Sequence, residues 1–357
     1  MDNSLIFPLF LVFLGPSHSH WTYEDQHHWA TSYPDCGGTS QSPIDIDTRK
    51  AVFSRQLPPI ELKNDDTLPR AETLTLLNNG HTLQLNLPST LSMSIGTDVY
   101  HAAQLHFHWG TDGQEGSEHS VDGEHYDAEI HVVHYSDKYQ NLKEAADKVD
   151  GLAVLGAFIQ VGEEENAGYQ RVLTYLKNVT EEGSRTTVPF VNANDLLPVR
   201  LDRYFRYNGS LTTPPCFQSV TWTVFNETVF VSKEQLELLE STLKGDHDSI
   251  LSGNFRTLQD LNGRNVLASF PSSDQKKSIG SKAPSDEKQS NSVDEDPELP
   301  ESSYRLGDIL AIVFGVLFAI TLTAFIIYVL HHRKKNTRSG SDKRENVIYK
   351  AAVMQEA

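Results

Sequence analysis

The stretch QLHFHWG, residues 104–110, places one histidine on each side of a phenylalanine. Alternate residues of a β-strand share a face, so a strand here would direct Gln104, His106 and His108 to one side. The leucine, phenylalanine and tryptophan of the stretch would lie on the opposite side. The pattern therefore predicts a strand with one ligand-binding face and one buried face.

Similar alternation recurs along the chain and predicts the fold class. Apolar-alternating runs occupy residues 74–87, 102–110, 128–136, 151–162 and 219–231. Helical patterns are confined to residues 163–179 and 232–245, the second with Ser232 as N-cap and Gln235 three residues later. We predict a mostly β fold with peripheral helices, and a turn at the NNG of residues 78–80.

Two longer apolar runs indicate a secreted chain that crosses a membrane once. Residues 5–14 are typical of a signal peptide. Residues 309–330 carry no charge, can span a hydrocarbon core of roughly 30 Å, and precede the basic stretch HHRKKNTR. The positive-inside rule then places the tail in the cytoplasm and makes this a single-pass type I protein of the plasma membrane. The predicted segments are a signal peptide (1–17), an extracellular domain (18–270), a flexible acidic linker (271–306), a transmembrane helix (307–330) and a cytoplasmic basic tail (331–357).

The charge balance separates the tail from the rest of the chain. The tail after residue 330 holds seven Lys or Arg and three Asp or Glu, a charge of +4, so the −18 of the whole chain leaves −22 before it. An acidic body of this size repels phosphate groups, and we therefore predict no nucleic-acid partner.

The two cysteines and three sequons fit the same extracellular placement. In a secreted protein, Cys36 and Cys216 most simply form one disulfide. It would close a loop of about 180 residues, worth roughly 5 kcal/mol if chain entropy of the unfolded state dominates. The Asn-x-Ser/Thr sequons at Asn178, Asn208 and Asn226 predict N-glycosylation.

A second strand supplies a further histidine. In the run AEIHVVHYS, Glu129, His131 and Val133 share one face. If this strand lies beside the first one, His106, His108 and His131 can converge on one metal ion. Three neutral imidazoles on strands are typical of a catalytic zinc site whose fourth tetrahedral position is left to water.

The residues around these histidines favour a metal over the alternative, a hydrogen-bonded core histidine. A metal-bound histidine usually donates its second N–H group to an outer acceptor. Gln104 and Glu129 each lie two residues before a histidine and on the same strand face. An H-x-H pattern alone also occurs without metal, and Glu115, seven residues after His108, suits a turn better than a carboxylate ligand.

Seven motifs, in chain order, resemble those of the α-carbonic anhydrases: QSPIDI, NNGHT, QLHFHWG, GSEHSVDGEHYDAEIHVVHY, GLAVLG, GSLTTPPC and VTWTVF. The resemblance covers residues 21–270. The signal peptide, disulfide, linker, membrane span and basic tail further resemble the extracellular membrane-anchored subclass, types twelve and fourteen of this family. The resemblance implies a twisted, largely antiparallel ten-stranded sheet with a conical zinc site, followed by the transmembrane helix.

The resemblance also implies a role for each residue that matches a family motif. It implies one Zn²⁺ bound by His106, His108 and His131. It further implies proton transfer by His81, and a hydroxyl gatekeeper, Thr212, whose proton Glu118 accepts. The residues implied in substrate binding are Thr212, Thr213, Val133, Val154, Leu211, Val220 and Trp222. Those implied in the outer shell and the water network are Tyr23, Asn79, Gln84, Gln104, Glu129 and, through its carbonyl, Asn254.

The implied function is zinc-dependent reversible hydration of carbon dioxide to bicarbonate and a proton at the cell surface. The main alternative is a catalytically inactive relative that serves as an adhesion or receptor ectodomain; loss of a zinc histidine would favour it, and all three are present. A metal-dependent esterase is a third interpretation, although the chain has no G-x-S-x-G elbow. Ala311, Gly315 and Ala319 share one stripe of the span, which predicts a homodimer, with ordinary small-residue usage as the alternative.

Overall fold

The structure is a computed structural model that describes residues 21–64, 73–111, 113–245 and 249–271. The predicted signal peptide, transmembrane helix and basic tail lie outside the described residues, as does all of the predicted linker except residue 271. None of the helices in the described ranges combines the length and the apolar character needed to cross a membrane.

Strands dominate the described residues, as the alternating runs predict. They are β1 (Asp45–Ile46), β2 (Val52–Phe53), β3 (Leu62–Asn64), β4 (Thr73–Asn78), β5 (Leu83–Asn86), β6 (Leu91–Ile95), β7 (Asp98–Trp109), β8 (Ser120–Val121), β9 (Ala128–Ser136), β10 (Leu152–Gly162), β11 (Arg185–Pro189), β12 (Tyr204–Gly209), β13 (Val220–Phe225), β14 (Val229–Ser232) and β15 (Leu267–Ala268). The α-helices are α1 (Trp29–Ser32), α2 (Leu142–Ala145), α3 (Ala167–Leu173) and α4 (Lys233–Thr242). Short 3₁₀ helices span Tyr23–His28, Pro34–Gly37, Leu176–Asn178 and Ala193–Leu196.

Thirteen of these strands form one sheet, and β1 and β8 form a separate parallel pair. The main path of the sheet runs β11-β4-β5-β7-β9-β10-β13-β12-β15-β2, and β3, β6 and β14 join it from the side. This path has the ten strands that were predicted, but the complete sheet is larger. It is also mixed, because β10 pairs in parallel with both β13 and β14, and β15 pairs in parallel with β2.

Two predicted local features are present as expected. Ser232 caps α4, where its side chain accepts from Gln235 N–H and the Gln235 side chain accepts from Ser232 N–H. The NNG stretch forms the turn between β4 and β5: Gly80 has a φ of +87°, and Asn79 Oδ1 accepts from the backbone N–H groups of His81 and Thr82.

The buried face predicted for the QLHFHWG strand lies in the larger hydrophobic core. Leu105, Phe107 and Trp109 are at most 1% exposed and pack with the apolar side of β9 and β10. Trp109 also donates its indole N–H to the carbonyl oxygen of Leu251 at 3.0 Å. Burial of these rings fixes β7 firmly in the sheet, so its opposite face becomes a rigid platform for the polar residues.

The predicted disulfide between Cys36 and Cys216 is confirmed. The two Cα atoms lie 4.9 Å apart although 180 residues separate them in sequence. Cys216 is completely buried and packs with Cys36 and Trp29 in a small cluster of its own. The bond therefore joins the short 3₁₀ helix Pro34–Gly37 to the loop that follows β12.

We expect the double variant Cys36→Ala/Cys216→Ala to lose about 5 kcal/mol of unfolding free energy, because its unfolded chain is no longer closed by a loop of 180 residues. Urea unfolding of the wild type and the variant, each followed by fluorescence, measures the difference. Wild-type protein unfolded with a reductant present is the matched control and should resemble the variant. A loss below about 1 kcal/mol would contradict the chain-entropy argument.

His134 on β9 is a completely buried histidine on the strand face opposite to that of His131. Its Nδ1 lies 3.1 Å from the carbonyl oxygen of Val132, and its Nε2 has no hydrogen-bond partner among the described residues. Burial lowers the pKa of His134 to about 4, although the hydrogen bond to the carbonyl of Val132 raises it; the nearby His101 lowers it further.

This shift makes folding sensitive to acid. The unfolded chain takes up a proton near the ordinary histidine pKa of about 6.5, whereas the folded chain takes it up only near 4. The contribution of neutral His134 to the free energy of unfolding is therefore complete above pH 6.5 and is lost as the pH falls towards 4, by up to about 3 kcal/mol.

Between pH 7 and pH 4.5, we expect the free energy of unfolding of His134→Asn to fall by about 2 kcal/mol less than that of the wild type. Urea midpoints at the two pH values test this, with exposed His28→Asn as the control; equal acid losses in all three proteins would contradict it.

Candidate metal centre

Neighbouring strands β7 and β9 bring the three predicted histidines together. The two strands are antiparallel, and their register places His106 directly opposite His131 and His108 opposite Glu129. The ring centroids of the three histidines lie 4.5–5.2 Å apart. Their nearest side-chain nitrogens all lie within 4.8 Å of one another, a spacing that could hold a metal ion.

Each histidine directs one nitrogen to an acceptor, and this determines which nitrogen is left for a metal. The Nδ1–H of His106 donates to Gln104 Oε1 (2.9 Å), and that of His108 donates to the carbonyl oxygen of Asn254 (2.8 Å). His131 donates through Nε2 to Glu129 Oε1 at 2.7 Å. In neutral rings the remaining nitrogens carry no proton, so His106 Nε2, His108 Nε2 and His131 Nδ1 are available as ligand atoms.

The charge state of the rings favours this arrangement. Removal from water lowers the pKa of His106 well below its ordinary value, and the neighbouring His108 and His131 lower it further. Burial also lowers the pKa of His108. Both rings are therefore neutral at physiological pH, as ligands to a metal must be.

A concentration of acceptor atoms shows that a cation fits here. The unprotonated ring nitrogens His108 Nε2 and His131 Nδ1 lie only 3.1 Å apart. Glu118 Oε2 lies 3.4 Å from the first and 3.8 Å from the second, and it is buried with no hydrogen-bond partner among the described residues. Lone pairs that face one another without a shared proton repel, and a bound metal ion would relieve this.

A buried hydrogen-bond network extends behind His131 and was not predicted. Burial raises the pKa of Glu129, but the neighbouring His119 and His131 outweigh this and hold it well below its usual range. Glu129 accepts from both histidines at 2.7 Å, and the other side of the His119 ring contacts the hydroxyl of Tyr207 at 2.7 Å. The hydroxyl of Tyr207 donates to Ser42 Oγ at 2.8 Å. Glu129 was predicted as the acceptor of His131, but no local sequence signal could identify Tyr207 and Ser42, because they are distant from His119 in the chain.

Asn254 contributes more than the carbonyl that was predicted. Its side-chain oxygen accepts from Trp109 N–H at 2.8 Å, and its amide nitrogen donates to the carbonyls of His81 and Phe107 at 3.0 and 3.1 Å. One buried asparagine therefore fixes the end of β7, the ring of His108 and the turn that carries His81.

The predicted pair of Thr212 and Glu118 is not joined by a hydrogen bond in this structure. Thr212 is buried beside the cavity described below, but Glu118 Oε2 accepts no bond. Glu118 Oε1 accepts instead from the backbone N–H of Arg256 at 2.8 Å. The guanidinium of Arg256 donates to the carbonyl oxygens of Cys36 and Ser42, so the disulfide region holds Glu118 in position.

A cavity of about 210 Å³ opens beside the histidines and has one apolar wall. His106 and His131 lie on its polar side. Predicted substrate residues that line it are Val133, Val154, Leu211, Thr212, Thr213 and Trp222. Leu142, Ala146 and Leu152 also line it, which the sequence did not indicate. Val220 does not line this cavity; it is buried in the same apolar cluster and borders a separate cavity.

The predicted proton-transfer residues lie around the turn after β4. The ring of His81 is half-buried and stacks on Trp21, with centroids 3.9 Å apart and planes 16° apart. Asn79 donates to Gln84 Oε1 at 3.2 Å, and Gln84 lies directly opposite His106 in the sheet. Tyr23 packs edge-on against the same Trp21 at 5.4 Å. Trp21 was not predicted as a site residue.

The fold and these contacts define a class of protein: a mostly β domain that directs three imidazole nitrogens to one point beside an apolar cavity. Such a centre is typical of zinc enzymes that act on small molecules.

Comparison with known proteins gives the same class. A family model described as "Eukaryotic-type carbonic anhydrase" matches residues 24–270. Carbonic anhydrase 6 of Bos taurus is 42% identical over 284 residues, which cover 77% of this chain and 88% of the relative. Carbonic anhydrase 12 of Homo sapiens is 36% identical over 348 residues, which cover 95% of this chain and 90% of the relative.

The chain belongs to the eukaryotic-type carbonic anhydrase family. This confirms the family and the enzyme class that the motifs predicted, a zinc-dependent enzyme class that hydrates carbon dioxide.

Proposed function

We propose that this chain hydrates carbon dioxide reversibly at one Zn²⁺ held by His106, His108 and His131, on the outer face of the plasma membrane. The observation that carries the proposal is the convergence of three unprotonated imidazole nitrogens, each on a ring whose second nitrogen is already hydrogen-bonded. Pre-oriented neutral ligands of this kind leave the charge of the zinc undiminished.

Zinc bound here would supply Lewis-acid chemistry and would lower the pKa of a water molecule to about 7, the value known for carbonic anhydrases in general. The protein residues supply the rest. Carbon dioxide is uncharged and apolar, and the wall formed by Val133, Val154 and Trp222 can hold it beside the histidines without a charged group.

Thr212 and Glu118 are proposed to orient the reacting water oxygen. Thr212 lies at the cavity and Glu118 Oε2 lies within 3.8 Å of the bare nitrogens of His108 and His131. The unused hydrogen-bonding capacity of Glu118 supports this role, since a threonine hydroxyl that donates to the carboxylate would present its own lone pair to the water.

His81 is proposed to carry the proton away from the centre. It lies on the turn stabilised by Asn79, and Trp21 supports its ring at the surface. Tyr23, Asn79 and Gln84 offer hydroxyl and amide groups between this turn and the sheet face of His106, where they can order water for proton transfer.

The placement at the cell surface rests on sequence features outside the described residues. These are the signal peptide (1–17), the acidic linker (271–306), the transmembrane helix (307–330) and the basic tail (331–357), with residues 18–270 outside the cell. The match to human carbonic anhydrase 12 covers 95% of this chain and so extends beyond the catalytic domain, which supports a common organisation. Glycosylation at Asn178, Asn208 and Asn226, and a homodimer through the span, belong to the same proposal.

Zinc content and hydration rate measured together on the purified full chain test the proposed chemistry. We expect one zinc per chain, loss of hydration when a chelator removes it, and recovery when zinc is added back. Hydration that persists without metal would contradict the zinc assignment. Stoichiometric zinc without hydration would favour the inactive adhesion or receptor interpretation. Antibody access to a tag at the C-terminus only after cell permeabilisation would support the proposed orientation.

A further inference from the structure

A second, larger cavity lies on the metal-facing side of the sheet, away from the histidines. It has a volume of about 450 Å³, more than twice that of the cavity beside the metal centre. This is within the usual size range of ligand sites, roughly 300–1,000 Å³. None of its lining residues lines the cavity at the metal centre.

The floor of this groove is a row of four side chains across four strands. Lys63 on β3 pairs with Ser92 on β6, Ser92 pairs with His101 on β7, and His101 pairs with Tyr135 on β9. Directly paired residues share a face of a sheet, so the row forms one surface about 14 Å long. His131 and Tyr135 are four residues apart on β9, which places the groove about 13 Å along the strand from the metal centre.

The β-bulge at Ala103 is what brings His101 onto this face. The pairing of β7 with β9 shifts between Ala102 and Gln104, so Ala103 has no residue opposite it on β9. Without this shift, alternation would place His101 on the side opposite His106. The bulge thus builds two polar sites on one face of a single strand.

The remaining walls are polar and aromatic, with one carboxylate. They comprise Asn64, Ser89, Thr90, Asp137, Tyr139 and Gln140. In the described part of the chain, no side chain of Asn64, Thr90, Ser92 or Gln140 takes part in an observed hydrogen bond. His101 donates through Nδ1 to the carbonyl oxygen of Ser89 at 2.9 Å, which leaves its Nε2 as an acceptor when the ring is neutral.

This lining excludes several ligand classes. No aliphatic side chain lines the groove, and a purely apolar ligand that covered the two tyrosine rings would leave the amide and hydroxyl groups without hydrogen-bond partners. Lys63 is its single Lys or Arg and lies 3.9 Å from Glu61, and Asp137 adds a negative charge. The −22 carried by the chain before its tail would repel polyanions as well.

The lining suits a sugar. Hydroxyl and amide side chains both donate and accept hydrogen bonds, as the hydroxyl groups of a sugar do. Tyr135 and Tyr139 offer ring surface for the C–H face of a pyranose and a hydroxyl for its edge. We propose that this groove binds a neutral oligosaccharide carried by another molecule. No sequon of this chain borders the groove, so its own glycans are not the expected occupant.

Saturation-transfer NMR on the purified full chain tests the proposal, with lactose, maltose and N,N′-diacetylchitobiose as probes and a heparin disaccharide as the anionic comparison. We expect saturable transfer to the ring protons of at least one neutral probe, with a Kd at or below roughly 1 mM. No transfer to any neutral probe, or transfer to the heparin disaccharide alone, would overturn the proposal. Binding that appears only after enzymatic deglycosylation would show that the chain's own glycan fills the groove and would overturn the stated source.

Two variants locate the binding. Ser92→Trp fills the floor and should abolish transfer, and Tyr139→Ala should weaken it by at least about tenfold. Tyr175→Ala changes another half-buried tyrosine, which packs against the larger hydrophobic core and does not line the groove; it is the matched control and should bind as the wild type does. Carbon dioxide hydration should be unchanged in all three, which shows that they fold and separates this proposal from that for the metal centre. Sugar binding retained by both groove variants would place the site elsewhere and overturn the assignment.

Discussion

Replacing His106 with alanine is expected to remove zinc binding and carbon dioxide hydration together. The variant loses one of three ligand nitrogens, and the two that remain lie only 3.1 Å apart beside the carboxylate of Glu118. The rate should fall by more than the roughly 10–100-fold expected when only an outer partner is lost. Metal analysis of the dialysed protein and stopped-flow hydration measure the two effects.

Two further variants distinguish the loss of a metal ligand from the loss of the hydrogen-bond acceptor that orients it. Gln104→Ala removes the acceptor of the His106 Nδ1–H and leaves the ligand nitrogen in place, so zinc affinity should fall by about 10–100-fold while added zinc restores the rate. His28→Ala changes an exposed histidine and serves as the control that keeps full metal and full rate. A His106→Ala protein that retains stoichiometric zinc and the parental rate would show that the ligand assignment is wrong.

The local part of this centre could be predicted because it depends on the alternation of strand residues. His106 and His108 share a face with Gln104, and His131 shares one with Glu129, whatever the rest of the chain does. Hydrophobic burial of the intervening residues, such as Phe107, makes the opposite assignment of faces very unfavourable. The sequence pattern thus contained both the ligands and two of their three hydrogen-bond acceptors.

The third acceptor could not be found in the same way. Asn254 lies 146 residues from His108 in sequence and in a segment without regular strand structure. Its position follows from tertiary packing, and only the family resemblance indicated it. The same holds for Tyr207 and Ser42 behind His119, whose hydrogen bonds also join distant parts of the chain.

The extent of the sheet was predicted incompletely for a different reason. β3 has three residues, too few to show alternation, yet together with β6 it enlarges the sheet beside the ten-strand path. The bulge at Ala103 leaves no sequence signal either, and it reverses the side to which His101 is directed. Irregularities of register arise from pairing between strands, so a pattern within one strand does not reveal them.

Replacing His81 with alanine is expected to slow hydration in weak buffer by as much as about a thousandfold. A group of pKa about 7 at the centre must lose one proton in each cycle. Since protons return at a diffusional rate near 10¹⁰ M⁻¹s⁻¹, direct release to bulk water is limited to about 10³ s⁻¹. A carbonic anhydrase can reach about 10⁶ s⁻¹, so a fast member needs a relay that titrates near neutrality, and histidine is the suitable side chain.

The structure gives this relay a definite setting. His81 lies on a turn held by Asn79 and by the amide of Asn254, and its ring rests against Trp21 instead of being enclosed in the core. Removing the imidazole should therefore leave the zinc ligands in place. Zinc content and the buffer-independent exchange between carbon dioxide and bicarbonate should stay near the wild-type values, and added imidazole should restore much of the lost rate. His27→Ala, at an exposed histidine of the first 3₁₀ helix, is the matched control. Parental turnover by His81→Ala in weak buffer would mean that another group carries the proton.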